Sequence, residues 1–301
     1  MWVAPDSRSP DEPVTVAQPG PPPGQQPARP NPPPLPIPLR PFTSFDVVDG
    51  AIGVLKSSPR MVLSLAAVFV VPVELLVAWF DHGASGRAGI AGSYRLFIAQ
   101  VDNGGGVRGA DAIVLLGLVS LSLTFLAGAI GYVVASWYGG RQPSIAEAVM
   151  APLRRGPALV GAWLGVHAIE AVGTIAGGAP GVLMMAVLMV TAPAIVVEGL
   201  GPVAGMRRSW RLTAGRYGAT FGAALLIALV DGVLTIALSP VGSVLDAIGG
   251  GLTADLVCTA GASMVTMSFV AAATTLVYLD RRVRAEGLDL ELGISEHLGA
   301  S

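Results

Sequence analysis

Residues 191–216 read TAPAIVVEGLGPVAGMRRSWRLTAGR, and this stretch decides the fold class of the 301-residue chain. It begins as the end of an apolar segment, carries Glu198 where that segment ends, and starts a short helix after Gly201 and Pro202. One side of this helix is apolar and the neighbouring side is basic, with Val203, Met206, Trp210 and Ala214 on the first and Arg207, Arg208 and Arg211 on the second. Such a helix is predicted to lie in the membrane interface, on the cytoplasmic side that arginines favour.

The composition of the whole chain agrees with a membrane protein. Apolar residues make up 52% and charged residues 13% of the sequence, and the mean hydropathy is +0.66. Soluble domains carry about 25% charged residues, so this chain has about half the usual share. The single cysteine, Cys258, excludes an intramolecular disulfide framework.

The chain divides into three regions. Residues 1–41 hold 15 of the 24 prolines and predict a disordered, proline-rich cytoplasmic arm without a signal peptide. This arm is either a plain spacer or a ligand for a proline-binding partner domain. Residues 42–292 form the predicted membrane domain, and residues 293–301 form a cytoplasmic tail.

The membrane domain is predicted to be all-α, with six transmembrane helices. The predicted spans are residues 61–80, 112–138, 158–177, 180–198, 217–238 and 254–279. Pro72 and Pro193 are expected to kink the first and fourth spans. Small residues four apart, such as Gly161 and Gly165, predict close contacts between helices, and Gly222 and Gly261 belong to the same set of small residues.

The spans are predicted to form three hairpins, each preceded by a short interfacial amphipathic helix that begins near Ser44, Ser144 or Pro202. Fifteen of the 18 Lys and Arg residues lie on the sides where these helices lie, which predicts a cell membrane protein with both termini in the cytoplasm. The predicted anchors to anionic lipid headgroups are Lys56, Arg60, Arg154, Arg155, Arg216, Arg281, Arg282 and Arg284.

One acid is predicted inside the first span of each hairpin: Glu74, Glu170 and Asp231. Each follows the preceding cytoplasmic arginine by 14 or 15 residues, so the three acids should lie at one depth. His167 lies one helical turn from Glu170 on the same face. Either the acids line a shared outward-facing cavity with His167 as a proton partner, or each acid separately bonds a neighbouring helix or reaches water.

A structural role is predicted for Glu198. A carboxylate at a helix C-terminus is unfavourable because it lies at the negative end of the helix dipole. An ion pair with Arg207, Arg208 or Arg211 would compensate it and hold the interfacial helix against the bundle, as a structural latch.

No HExxH, paired CxxC or phosphate-loop motif is present, so we expect no enzymatic activity, cofactor or metal. The arginines are divided among several membrane-facing segments, which favours lipid headgroups over nucleic acid as their partner.

Two short motifs carry a family resemblance. Residues 192–218 contribute Pro193, Glu198, Gly201, Pro202, Arg208, Ser209 and Trp210, and residues 278–292 contribute Asp280, Arg282, Arg284, Glu286, Gly287 and Asp289. With the amphipathic segment 45–60, these motifs resemble actinobacterial membrane proteins related to the glycerophosphoryl diester phosphodiesterase membrane domain. The resemblance implies a helical membrane fold and no activity, since the hydrolase of the fusion proteins is a separate domain that these residues do not contain.

Two functions are compatible with these observations. The first is a non-catalytic bacterial membrane module that assembles with, or regulates, cell-envelope or transport components through its cytoplasmic face and proline-rich arm. The alternative is a proton- or cation-linked transporter or channel that uses Glu74, His167, Glu170 and Asp231. A cavity that joins the three acids would favour the alternative, and dispersed acids would favour the module.

Overall fold

The computed structural model describes residues 42–85, 110–238 and 251–287, with the isolated positions 241 and 244. The predicted proline-rich arm and the tail 293–301 lie outside the described residues. Within the described ranges all regular structure is helical, in agreement with the all-α prediction. In chain order the helices are α1 (Ser44–Ser57), α2 (Pro59–Phe69), α3 (Val71–Ser85), α4 (Ala110–Tyr138), α5 (Ile145–Arg154), α6 (Gly156–Ile175), α7 (Ala179–Leu188), α8 (Thr191–Glu198), α9 (Pro202–Thr213), α10 (Tyr217–Leu238) and α11 (Gly251–Glu286).

Five segments in the described part of the chain are long and apolar enough to cross a membrane. They are Val114–Tyr138, Gly156–Ile175, Ala179–Glu198, Tyr217–Leu238 and Leu256–Glu286, and they agree with the last five predicted spans. The first predicted span, 61–80, is covered by α2 and α3 and is not one of these five. A sixth would be counted if α1 and α2, which meet at an angle of 95°, formed one broken span.

Both predicted proline kinks are present as breaks in a helix. Val70 separates α2 from α3 two residues before Pro72, and α8 begins at Thr191, two residues before Pro193. Proline lacks the N–H that would bond the carbonyl four residues earlier, so the regular hydrogen-bond ladder stops one turn before each proline.

The three short helices begin where the sequence predicts them. Thr43 caps α1 in a capping box with Asp46, in which each side chain accepts a hydrogen bond from the other's backbone N–H. The Ser144 hydroxyl caps α5 by accepting from the backbone N–H of Glu147 at 3.2 Å. Pro202 occupies the first position of α9.

The helices α4 and α11 occupy the centre of the bundle and contact each other. The buried core there includes Leu126 and Ile130 from α4 and Phe269 and Leu276 from α11. In contrast, α6 and α10 expose much of their apolar surface at the periphery. Apolar residues exposed along a long helix suit a lipid environment.

Glycines on two helices allow the close contacts that their spacing predicts. A Cβ atom at Gly131 of α4 would lie 3.0 Å from the Cβ atom of Pro193 in α8, and Gly161 and Gly165 of α6 face Pro202 and Met206 of α9. Side chains at these glycines would separate the helices. The grouping of Gly222 and Gly261 with these glycines was wrong, because a Cβ atom at either position would meet no atom within 4 Å in the described part of the chain.

Candidate functional site

A partly open cavity of about 320 Å³ lies between α4, α6, α7, α8, α10 and α11. Three of the four predicted polar residues line it: His167 and Glu170 from α6 and Asp231 from α10. Its remaining lining is mainly aliphatic. The structure therefore brings together two of the three intramembrane acids and the predicted histidine.

His167 is held by a hydrogen-bond chain to α4. Its Nε2 atom lies 2.9 Å from the Ser120 hydroxyl, which also accepts a hydrogen bond of 2.8 Å from the indole N–H of Trp163. Trp163 and His167 are four residues apart on α6, so their rings are in contact, tilted by 50° with centroids 5.0 Å apart. The Ser120 hydroxyl also lies 3.0 Å from the carbonyl of Gly117. Because a hydroxyl has one proton, its direction determines which nitrogen of His167 carries the ring proton.

Glu170 approaches the other ring nitrogen of His167. Its Oε2 atom lies 3.2 Å from Nδ1, one turn away on the same helix. Nδ1 is buried and lacks an aligned hydrogen bond, so this contact is a close electrostatic approach. The side chains of His167 and Glu170 keep 42% and 23% exposure, which leaves them accessible from the cavity side. Ser120, His167 and Glu170 are therefore neighbours, and the last two line the cavity.

Asp231 faces the same cavity from the opposite helix, α10. It is half-buried, and within the described residues no hydrogen bond or ion pair reaches its carboxylate. Among the described residues that line the cavity there is no lysine or arginine. Asp231 is consequently an acid in mainly apolar surroundings without a cationic partner.

Glu74 does not share this cavity, so the prediction of one site with three acids is wrong for this residue. It lies on α3, which packs against α4 and α11, and it is 4% exposed. Neither carboxylate oxygen has a hydrogen-bond partner, although the Ser263 hydroxyl of α11 lies beside it. Counting residues along a span predicts how deep a residue lies, but not which neighbouring helix its side chain faces. The side chain of Glu74 lies beside α11 and not in the cavity.

Glu198 lies in a network of charged side chains at the basic end of the bundle. Of the three predicted partners, Arg208 contacts it, with Nε 2.9 Å from Oε1. Arg207 and Arg211 are exposed. Arg208 also pairs with Glu286 of α11, and the hydrogen bonds to Glu286 and Glu198 raise the pKa of Arg208 above the ordinary arginine value.

Two further residues of α11 complete this network, and the sequence prediction did not include them. The Tyr278 hydroxyl donates a hydrogen bond of 2.8 Å to Glu198, and Arg282 binds Glu286 at 3.0 Å. Arg282 also lies 3.8 Å from Glu198. We call these five residues the basic-end network: Glu198, Arg208, Tyr278, Arg282 and Glu286.

A neighbouring cluster fastens α1 to the end of α11. Asp280, 3% exposed, accepts hydrogen bonds from the backbone N–H of Phe42 at 2.8 Å and from Arg284 at 2.7 Å. Arg284 also donates to the Phe42 carbonyl at 2.6 Å. The α1 helix is thereby held to α11 across more than 200 residues of sequence.

The predicted lipid anchors fall into two groups. Arg281 is a buried side chain beside Asp280, so its prediction as a headgroup anchor was wrong, and Arg282 and Arg284 bind protein carboxylates. The remaining five are exposed: Lys56, Arg60, Arg154, Arg155 and Arg216. Arg281, Arg282 and Arg284 are covered because α1 and α9 pack against α11.

The fold and the cavity define a class: an all-helical protein with at least five helices of membrane-spanning length and an acid-containing cavity between them. The described residues contain no group of three His, Cys, Asp or Glu side chains that could hold a metal ion. No protein-family model matches the sequence, and no curated protein or solved structure matches it either.

Proposed function

We propose that this chain is a non-catalytic, six-span protein of the cell membrane that binds a cation in exchange with protons, as in proton- or cation-linked transport. In this proposal α2 and α3 supply the first span, the spans pair as three hairpins, and both termini lie in the cytoplasm. Support for the orientation comes from the three short helices and their exposed basic residues, which favour a cytoplasmic location. The resemblance to the membrane domain described above is compatible with this proposal.

The observation that carries the proposal is the charge of the cavity. Glu170 and Asp231 line it with His167, and no arginine or lysine in the described ranges does. An ionisable side chain inside a membrane costs several kcal/mol unless it meets a partner, a proton or water. The described part of the chain supplies arginine partners to Glu198 and Glu286 but none to these acids, so a proton or an exogenous cation is the natural counter-charge.

His167 gives the proposed site a route for protons. Two titratable groups line the cavity with His167: Glu170 on the same helix and Asp231 on α10. The described residues of α4, α7, α8 and α11 contribute hydroxyl and apolar side chains to the lining. Histidine exchanges protons near neutral pH. A cation and a proton would therefore compete for the same pair of carboxylates.

The module without transport is the second candidate, and the position of Glu74 favours it. This acid lies apart from the other two, so the acids are partly dispersed. In this alternative the chain provides an assembly surface for other envelope components, and its acids are isolated features of packing.

One experiment separates the two candidates. Full-length protein in detergent is unfolded thermally across pH, and across Li⁺, Na⁺ and K⁺ at constant ionic strength. We expect Tm of the wild type to rise with acid or with an added cation, since either neutralises the cavity acids. The isosteric double variant Glu170→Gln, Asp231→Asn should lose the response to added cations, and Glu74→Gln, outside the cavity, should keep it. Overlapping curves for wild type and double variant would favour the module.

A further inference from the structure

We infer that the cavity accepts an organic ammonium ion with an apolar body, in preference to a bare metal ion. This inference rests on the proposed function and names the ligand class of the same site. It combines the shape of the cavity, the chemistry of its walls and the positions of its acids.

The walls of the cavity suit a small, mainly apolar molecule. Aliphatic side chains such as Leu123, Leu159, Met185 and Ile227 surround the space. A volume of about 320 Å³ lies at the lower end of the range of small-molecule sites, about 300–1,000 Å³. An apolar ligand body would replace water against these walls and gain the free energy of apolar burial.

The charges select a cation. Glu170 and Asp231 line the cavity from α6 and α10, and its described lining has no lysine or arginine. An anion would meet two carboxylates, and a neutral ligand would leave both carboxylates without a counter-charge. An ammonium group beside one of these carboxylates, with a proton on the other, balances the local charge.

An aromatic wall adds a second element of cation recognition. Trp163 lines the cavity, and its indole N–H is fixed by the hydrogen bond to Ser120. The face of a tryptophan ring attracts ammonium groups, most strongly where water is excluded. The combination of an indole, two acids and aliphatic walls matches an alkylated or aryl-substituted ammonium ion.

A bare metal ion suits the same walls poorly. The described residues contain no group of three metal-binding side chains. Hard cations take six or more oxygen ligands, which this largely aliphatic lining does not supply.

The test measures Tm of full-length protein in detergent against benzyltrimethylammonium chloride. Tetramethylammonium, benzyl alcohol and sodium chloride at matched ionic strength are the comparison solutes. We expect a saturable rise of Tm with benzyltrimethylammonium that exceeds the response to each comparison solute. The double variant Glu170→Gln, Asp231→Asn should bind about tenfold more weakly or not at all, and Glu74→Gln should bind as the wild type does.

A second variant tests the apolar part of the cavity without changing its acids. Ala224→Leu fills part of the cavity from α10 and keeps both acids. It should lose the benzyltrimethylammonium response and retain the response of Tm to pH and inorganic cations, which also shows that it is folded. Retention of the full organic response in this variant or in the double variant would overturn the inference.

The remaining outcomes distinguish the inference from the proposed function. A response to protons or inorganic cations that depends on Glu170 and Asp231, without any response to benzyltrimethylammonium, would overturn only the inference. An equal response to tetramethylammonium or benzyl alcohol would also overturn it, because one half of the ligand would then suffice. Absence of every response would overturn both proposals.

Discussion

The basic-end network and the cavity use the same kinds of acidic residue in opposite ways. In the network, Glu198 and Glu286 meet Arg208 and Arg282, so four charges sum to zero and Tyr278 adds a hydrogen bond. In the cavity, Glu170 and Asp231 have no arginine or lysine beside them within the part of the chain that the structure describes. A compensated cluster stabilises a contact between helices, whereas an uncompensated acid keeps its affinity for protons and cations. The difference therefore separates a structural role from a binding role.

Removal of Arg208 should have the largest effect on stability. Arg208→Met leaves Glu198 and Glu286 without their shared partner, in a site where the three side chains are 15–29% exposed. We expect a loss of about 2–4 kcal/mol in the free energy of unfolding, below the range for a fully buried pair. Arg207→Met, at the exposed neighbouring position, is the matched control, and it should change stability by less than about 0.5 kcal/mol. Denaturation by titrated detergent measures both, and equal small effects would show that the network contributes little.

A charge exchange sharpens this prediction. If Glu198 and Arg208 formed an isolated pair, Glu198→Arg combined with Arg208→Glu would restore the stability lost in each single change. In the network, the exchanged acid would face Glu286 and the exchanged guanidinium would face Arg282. We therefore expect only partial rescue in the same unfolding assay. Complete rescue would show that the pair acts independently of α11.

Glu74 should give an intermediate effect of the opposite sign. It is buried and its carboxylate oxygens have no hydrogen-bond partner, which opposes folding. Glu74→Met, of similar volume and fully apolar, should raise the free energy of unfolding by about 1–3 kcal/mol. Glu74→Gln keeps a buried polar group and should raise it less. A loss of stability in Glu74→Met, measured by thermal unfolding in detergent, would show that the carboxylate has a bound counter-ion in the folded protein.

The features that the sequence predicted well depend on local physics. The five apolar segments follow from length and hydropathy, the short helices from capping residues and amphipathic spacing, and the helix breaks from Pro72 and Pro193. Each of these signals lies within a window of about 20 residues. The contacts of Gly161 and Gly165 with α9 were also indicated by their spacing.

The features that it missed depend on which helix faces which. Glu74 lies beside α11 and outside the cavity, and no local sequence pattern gives this direction. The partners of Glu198 on α11 are about 80 residues away. A partial signal existed, because Tyr278, Arg282 and Glu286 are spaced four apart and so share one face of a helix. Arg282 was predicted to be a lipid anchor from its position beside a span. Its spacing from Glu286 on the same helix face is the signal for an ion pair.

Replacing the exposed arginines should have the smallest effect on the free energy of unfolding. It should also weaken the stabilisation that anionic lipid gives. Arg60, Arg154 and Arg216 are exposed at the ends of helices, unlike the buried Arg281. The triple variant with glutamine at these positions should unfold within about 0.5 kcal/mol of the wild type in neutral detergent. In nanodiscs it should lose much of the added thermal stability that phosphatidylglycerol gives over phosphatidylcholine, because each exposed arginine attracts an anionic surface. Arg281→Gln should keep that lipid response even if it destabilises the fold. A lipid response that persists in the triple variant and disappears in Arg281→Gln would reverse the assignment of paired and lipid-facing arginines.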